Sequence, residues 1–253
     1  MFAILGATGQ TGGAALAAAL AAGQTVKAIV REPGRATALA DKGAVLAKAD
    51  LDDVEALTAA FAGAESAYVL NPVPHAAEDV VAAAARNGAA IAEAIRRAGV
   101  PHVVALSSSG AHRTEGIGIV RALHDFEQAL RGAAPSLTFI RATEFMENWG
   151  SVLAVAAEHG ILPSMRLPLD AAGETVSTVD VARQAAAELA RPHAGDDRAA
   201  AQEHAVEIDR DGALPRRVVV ALQQLRRSGD AGVVDEDVDA AEHLLGAGRG
   251  RRH

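Results

Sequence analysis

The residues Gly6-Ala7-Thr8-Gly9-Gln10-Thr11-Gly12 stand between a short apolar run and a long alanine-rich stretch, with glycines spaced G-x-x-G-x-x-G. Between a strand and a helix, each glycine has a task. Gly6 would end the strand in a tight turn, Gly9 would let the backbone approach a pyrophosphate, and Gly12 would let the helix pack close to the sheet. The start of the helix then offers unpaired N–H groups and the positive end of its dipole to phosphate oxygens. The heptad alone says little; in this strand-to-helix context it points to a bound dinucleotide.

Further along, other residues could touch such a ligand. Arg31 closes the second apolar run, 19 positions past Gly12. A guanidinium at that place suits a ribose 2′-phosphate through forked hydrogen bonds, and Arg35 lies near enough to add to it. That reading favours NADP(H). Glu32 could instead take the ribose hydroxyls, the usual acidic role at this position, and would favour NAD(H). Asp50 follows the third run, where it either approaches the adenine edge or caps the next helix. Asn71-Pro72 follows the fourth, where it either lies along the inner ribose or marks an ordinary turn.

Ser107-Ser108-Ser109-Gly110 closes the fifth run, and ligands of open α/β sheets bind beyond the carboxyl ends of the strands. Ser107 is therefore expected at the nicotinamide end, as a cofactor contact and a candidate catalytic residue. Short-chain reductases of this layout use a Tyr-x-x-x-Lys pair, which this chain cannot supply. Its one tyrosine, Tyr68, lies inside the fourth run, where it reads as core, and its last lysine is Lys48. His124, in Leu123-His124-Asp125-Phe126-Glu127, is the candidate proton donor that remains. It reads more readily still as a partly exposed helix histidine. His112 and His75 are further candidates of the same kind. The nine histidines form no metal-binding spacing, and no metal is expected.

These residues need a scaffold, and the pattern of the chain supplies one. Strands are expected at Phe2–Leu5, Val26–Val30, Val45–Lys48, Ala67–Leu70, His102–Ser107 and Leu137–Arg141. Helices are expected at Gln10–Ala22, Arg35–Lys42, Val54–Phe61, Ala76–Ala98 and Ile117–Arg131. Asp52 or Asp53 would cap the third helix, and Gly99 and Pro101 would end the fourth. Strands alternating with helices predict a doubly wound parallel sheet of the Rossmann type over residues 1–145. Residues 146–191 would begin a small substrate-side lobe, with helices at Ser151–His159 and at Val179–Leu189, the latter capped by Thr178. Residues 192–253 are rich in Arg and Asp and carry no aromatics. They read as an atypical, partly disordered and incomplete segment, with a strand at Ala205–Ile208, a helix at Arg216–Arg227 and a basic tail at Gly246–His253.

The bulk composition is consistent with this. Half of the 253 residues are hydrophobic, enough for a sizeable core. The net charge of −8 argues against nucleic-acid or membrane-surface binding. With no cysteine, there is no disulfide, thiolate metal site or cysteine nucleophile. Met1 runs straight into an apolar strand without a basic leader, and no run is long enough to span a bilayer, so a cytoplasmic protein is expected.

Taken together, Gly6–Gly12, Val30-Arg31-Glu32-Pro33, Leu106-Ser107-Ser108-Ser109-Gly110-Ala111, Leu123-His124-Asp125-Phe126-Glu127 and Phe145-Met146-Glu147-Asn148-Trp149 resemble the NmrA-like branch of the atypical short-chain dehydrogenases, over about residues 1–190. That branch includes NADPH-dependent quinone reductases and NADP-binding redox sensors. The resemblance implies that Gly6, Thr8, Gly9, Gln10 and Thr11 hold the pyrophosphate, that Arg31 reads the 2′-phosphate, and that Phe145–Trp149 leads into a substrate cleft. Read from its residues, that last segment lines a pocket or packs a helix start on the sheet. Members of the branch usually continue into a longer, aromatic-bearing lobe. Pro192–His253 departs from that pattern, which would fit a truncated or shifted reading frame and an incomplete pocket.

Two functions follow. The first is an oxidoreductase that uses NADPH to reduce a quinone or similar small electrophile by hydride transfer, a reaction needing little acid assistance. The alternative is a non-catalytic NADP(H) sensor acting on a regulatory protein partner. A sugar-epimerase relative is disfavoured by the missing tyrosine acid. The partners to expect are thus a small-molecule substrate or a regulatory protein, with a homodimer as one assembly the chain could adopt.

Overall fold

A computed structural model describes residues 1–74, 76–161, 173–191 and, by backbone alone, 202–208. The expected helix 216–227, the basic tail 246–253 and His75 lie outside these residues.

Alternation of buried strands with helices yields a seven-stranded parallel sheet. The strands are β1 (Phe2–Leu5), β2 (Val26–Val30), β3 (Val45–Lys48), β4 (Ser66–Leu70), β5 (His102–Ser108), β6 (Ser136–Ala142) and β9 (Gln202–Ile208), with β7 (Glu144–Phe145) and β8 (Thr175–Val176) lying outside the sheet. Their order is β3-β2-β1-β4-β5-β6-β9. The chain runs outward from β1 to β3, then returns to β4 on the other side of β1. This makes the β1/β4 boundary the topological switch point, where the crevice of such sheets opens. β1, β4 and β5 are almost wholly buried apolar runs, as strands covered on both faces must be.

The helices divide between the faces. On one lie α1 (Gln10–Ala21) and α7 (Thr178–Leu189), which pack against each other. On the other lie α3 (Val54–Phe61), α4 (Val80–Ala98) and α5 (Arg121–Leu130), in contact in that order. The short α2 (Thr37–Asp41) packs beside β3. The core on the α3–α5 side gathers Leu57, Phe61, Ile91, Ile95, Phe126, Leu130 and Phe139, all essentially inaccessible to water. The Ser66 hydroxyl donates to the Leu189 carbonyl at 2.9 Å, fastening the end of α7 to β4.

Met1–Thr143 and Thr178–Ile208 form one compact unit, so α7 and β9 go with the sheet. In the second unit the described residues are 144–161 and 173–177. There β7 (Glu144–Phe145) pairs in parallel with β8 (Thr175–Val176), and a short 3-10 turn (Met146–Trp149) leads into α6 (Gly150–His159). The Ser177 hydroxyl donates to Glu147 at 3.1 Å.

Three helices differ from the expected spans by more than one residue. Arg35–Lys42 splits into a 3-10 turn (Pro33–Arg35) and α2, because Ala36 between them has φ −115° and leaves the helical region. α4 begins at Val80 rather than Ala76, because the Asp79 side chain accepts the Ala82 N–H at 2.9 Å and caps the helix there. α5 begins at Arg121 after a 3-10 turn over Gly118–Val120, since glycine is a poor helix former. Of the two candidate caps for α3 it is Asp53 that serves, accepting the Ala56 N–H at 2.9 Å.

Candidate functional site

The glycine loop has the geometry its spacing called for. Gly6 takes φ +70°, in the left-handed region, and turns the chain out of β1. The Gly9 N–H donates to the Gly6 carbonyl at 2.9 Å, and the Gly13 N–H to the Gly9 carbonyl at 2.8 Å. Gly12 is the position of closest approach. A Cβ there would stand 2.7 Å from the Gly6 carbonyl carbon and nearer still to its oxygen. Any side chain would therefore push α1 off β1. Gly9, the residue before α1, has no side chain to cap the helix, and no acidic residue lies in the first turn. The N–H groups of Gln10, Thr11 and Gly12 and the positive end of the dipole are thus left for an anion from outside the fold. Thr8, Gly9 and Gln10 are exposed.

At the end of β2, Arg31 is exposed and makes no hydrogen bond or ion pair with the described residues. Glu32 lies 3.7 Å from Arg35, and both side chains are largely in solvent. Asp50 stands two residues beyond the Val30–Lys48 pairing of β2 with β3, so it lies beside the Arg31 end of the sheet. Its carboxylate accepts the Leu51 N–H at 2.7 Å. It does not cap α3, which leaves it a turn residue with one oxygen uncommitted.

Asn71 and Ser107 come one step beyond the Leu70–Leu106 pairing of β4 with β5. They therefore sit side by side at the carboxyl ends, on the α4/α5 face. Asn71 is 6% exposed. Its Nδ2 donates to the Ala84 carbonyl of α4 at 2.8 Å, while its Oδ1 is buried with no partner among the described residues. Such an acceptor costs about 1–3 kcal/mol unless a ligand donor meets it.

Ser107, 4% exposed, donates its hydroxyl proton to Glu127 Oε1 at 2.6 Å. Glu127, on α5 and 1% exposed, is held by Arg141 of β6 through a fork: Nε to Oε1 at 2.9 Å and Nη2 to Oε2 at 2.7 Å. This buried trio was not singled out in the sequence. Its signal was there: Arg141 ends the otherwise uncharged Ser136–Ile140 run, and Glu127 lies three residues beyond His124 on one face of α5. Charges at positions that should be buried imply each other.

His124 is bound on the same side of α5. Its Nδ1 lies 2.8 Å from the Ala111 carbonyl oxygen. A carbonyl only accepts, so Nδ1 carries hydrogen, and Nε2 is the nitrogen left to take up or give a proton. One turn apart, His124 and Glu127 thus grip the two ends of the Ser107–Ala111 segment. His112 is exposed. Tyr68 is fully buried in β4, its hydroxyl without a hydrogen-bond partner. Burial pushes its phenol well above the usual range, and the nearby Thr11 side chain opposes this only in part. Among the described residues no three His, Asp or Glu side chains converge as metal ligands, and no helix is long and apolar enough to cross a membrane.

The NmrA-like family profile matches residues 1–202. The chain belongs to the NmrA-like family. Its similarity extends to an NAD(P)H azoreductase of Xenophilus azovorans, 28% identical over 148 residues, which is 58% of this chain and 49% of the relative. It extends also to quinone oxidoreductase 2 of Escherichia coli K12, 32% identical over 164 residues, 64% of this chain and 54% of the relative. The matched region thus spans about half the length of these curated relatives. Among solved structures, an NADPH-dependent quinone oxidoreductase of Escherichia coli complexed with NADPH superposes with a TM-score of 0.70 at 25% identity, covering 88% of this chain and 75% of that one. In this NmrA-like chain β9 covers the strand expected at Ala205–Ile208 and begins three residues earlier, at Gln202, and the family match runs ten residues past Pro192.

Proposed function

We propose that this NmrA-like chain is an NADPH-dependent oxidoreductase that reduces a quinone or a similar conjugated electrophile by hydride transfer. The observation that carries the reading is the contact at Gly12: no Cβ fits between α1 and β1, and the approach so enforced leaves the uncapped start of α1 open to a pyrophosphate. The names of the relatives, a quinone oxidoreductase and an azoreductase, agree with it.

The residues present fit the cofactor. The N–H groups at Gln10–Gly12 would hold the pyrophosphate, with Gly6, Thr8 and Gly9 shaping the loop. Arg31 would meet the 2′-phosphate, since its guanidinium has no partner among the described residues, while the exposed Glu32, 3.7 Å from Arg35, is held only by a weak surface pair. Asp50 would border the adenine. The buried Asn71 Oδ1 would accept a hydrogen bond from the inner ribose, and Ser107 would border the nicotinamide. Bound NADPH supplies the hydride. The protein's part is to hold it in position and exclude water. His124 would provide the proton through Nε2, its ring held by Ala111.

The test is a titration of purified protein with NADPH and a panel of quinones, followed at the reduced-nicotinamide absorbance band. Turnover above background is expected with at least one quinone. Tight NADPH binding with no turnover on any of them would make the chain a cofactor-binding regulator instead.

A further inference from the structure

Ser107 carries one hydroxyl proton and two lone pairs. The proton is already spent, on Glu127 at 2.6 Å. Glu127 cannot swing away to release it, because its two oxygens are also forked by Arg141 at 2.9 and 2.7 Å. A carboxylate in a charge-assisted fork is an acceptor only, so the Ser107–Glu127 bond has one polarity. The neighbouring hydroxyl does not replace the lost donor: Ser108 Oγ is directed to the Ser109 carbonyl at 3.3 Å. What the carboxyl end of β5 offers a ligand is therefore lone pairs.

We infer that Ser107 meets the nicotinamide end of the cofactor as a hydrogen-bond acceptor, held in that polarity by Glu127 as a positioning residue, and that its partner is the N–H of the carboxamide rather than a carbonyl of the substrate. This rests on the dinucleotide reading above. Ser107 is then not the group that polarises the substrate. Electrophiles that need a hydroxyl donor to activate a carbonyl are poor substrates, and those already activated by conjugation are good ones.

The test compares NADP⁺ with its 3-acetylpyridine analogue, which keeps the carbonyl but lacks the N–H. Both are titrated calorimetrically into the full chain and its variants. The parent protein is expected to bind NADP⁺ more tightly. Ser107→Ala should weaken NADP⁺ by about three- to tenfold, the worth of one neutral hydrogen bond, and leave the analogue within about twofold. Ser107→Thr, which keeps the hydroxyl, should restore the preference. In Glu127→Gln/Arg141→Gln, which removes both charges together, the new amide can donate to Ser107, and the two affinities should converge. Equal loss of both nucleotides in Ser107→Ala would overturn the assignment, leaving Ser107 a structural latch. Undiminished preference in a folded double variant would overturn the role of Glu127. Should well-folded parent protein bind neither nucleotide, the dinucleotide reading falls, and this inference with it.

Discussion

Replacing Gly12 by alanine puts a methyl group where the fold has no room. The new Cβ would stand 2.7 Å from the Gly6 carbonyl carbon and 3.1 Å from the Leu5 oxygen, all backbone. Ordinary carbon contact is about 3.5 Å, so α1 must retreat from β1 by roughly 0.8 Å. No side chain can rotate to relieve it. Overpacking of a dense core costs typically about 1–3 kcal/mol, and a backbone clash belongs at the upper end. Alanine returns about 0.8–1 kcal/mol of helix propensity, which leaves a net loss near 2 kcal/mol. Gly13→Ala is the control. Its Cβ would meet the Ala7 oxygen at 3.2 Å, a tight contact but not an overlap, and propensity favours it. Urea unfolding should place Gly12→Ala about 2 kcal/mol below the parent and Gly13→Ala within about 1 kcal/mol of it. NADPH affinity of Gly12→Ala should fall more than tenfold, because the displaced amides no longer converge on one phosphate position. If Gly12→Ala is as stable as Gly13→Ala and binds NADPH unchanged, the close approach is not what the glycine is for, and the cofactor reading loses its foundation.

Other outcomes follow from single contacts. Arg31→Ala should weaken NADP⁺ by roughly 10- to 100-fold and NAD⁺ little, the worth of a charge-assisted hydrogen bond, as read by calorimetry with both nucleotides. His124→Asn should leave NADPH affinity intact and lower the quinone turnover number by roughly 100-fold, the lower end for general acid catalysis, since conjugated acceptors need little help. Arg141→Met, which strands the Glu127 charge, should cost about 3–5 kcal/mol by urea unfolding. Tyr68 is the only tyrosine, so ultraviolet phenolate absorbance reports it alone. Burial raises its folded pKa, so its contribution to stability is whole below the unfolded value near pH 10 and falls above it by up to about 1.4 kcal/mol per pH unit. Native protein should show no phenolate until it unfolds, and Tyr68→Phe, which removes a buried hydroxyl without a partner, should remove that alkaline slope and be at least as stable at pH 7.

Much of the frame was legible because its signals are local. Period, caps and glycine spacing are read within a few residues, and β1, β2 and β3 match the expected spans. The misplaced helix starts share a cause: the helix-compatible pattern continues through Ala76–Asp79, and an apolar one through Ile117–Val120, while a side-chain cap or a glycine decides where the helix begins. The candidate cofactor residues Gly6, Gly9, Gly12, Arg31, Asn71 and Ser107 stand at carboxyl ends of strands or in the β1–α1 turn, where βαβ order alone puts them. What stayed hidden was long-range. Ser107, Glu127 and Arg141 come from β5, α5 and β6, and their meeting depends on the register of two strands and the rotation of one helix. No window of sequence contains all three. The same holds for the uncommitted Asn71 Oδ1, since an absent partner is visible only once every neighbour is in place.

That buried trio also bears on how the chain could work without the tyrosine–lysine pair of short-chain reductases. A lysine at the nicotinamide end would bring a net positive charge to ribose and substrate alike. Here, among the described residues, the charges beside Ser107 are Glu127 and Arg141, forked to each other, so the pair offers direction with its opposite charges set against each other. Their desolvation is expensive, and a pair of apolar residues would serve stability as well. What such residues could not do is hold the Ser107 proton. Under the proposed reaction, then, the site has little field with which to draw electrons from a substrate, and the electron demand must come from the substrate's own conjugation. A quinone meets that requirement and an isolated ketone does not. A side-by-side assay of a quinone and a simple ketone should therefore differ by several orders of magnitude in kcat/KM, and comparable rates on both would mean that His124 or another donor activates an unconjugated carbonyl unaided.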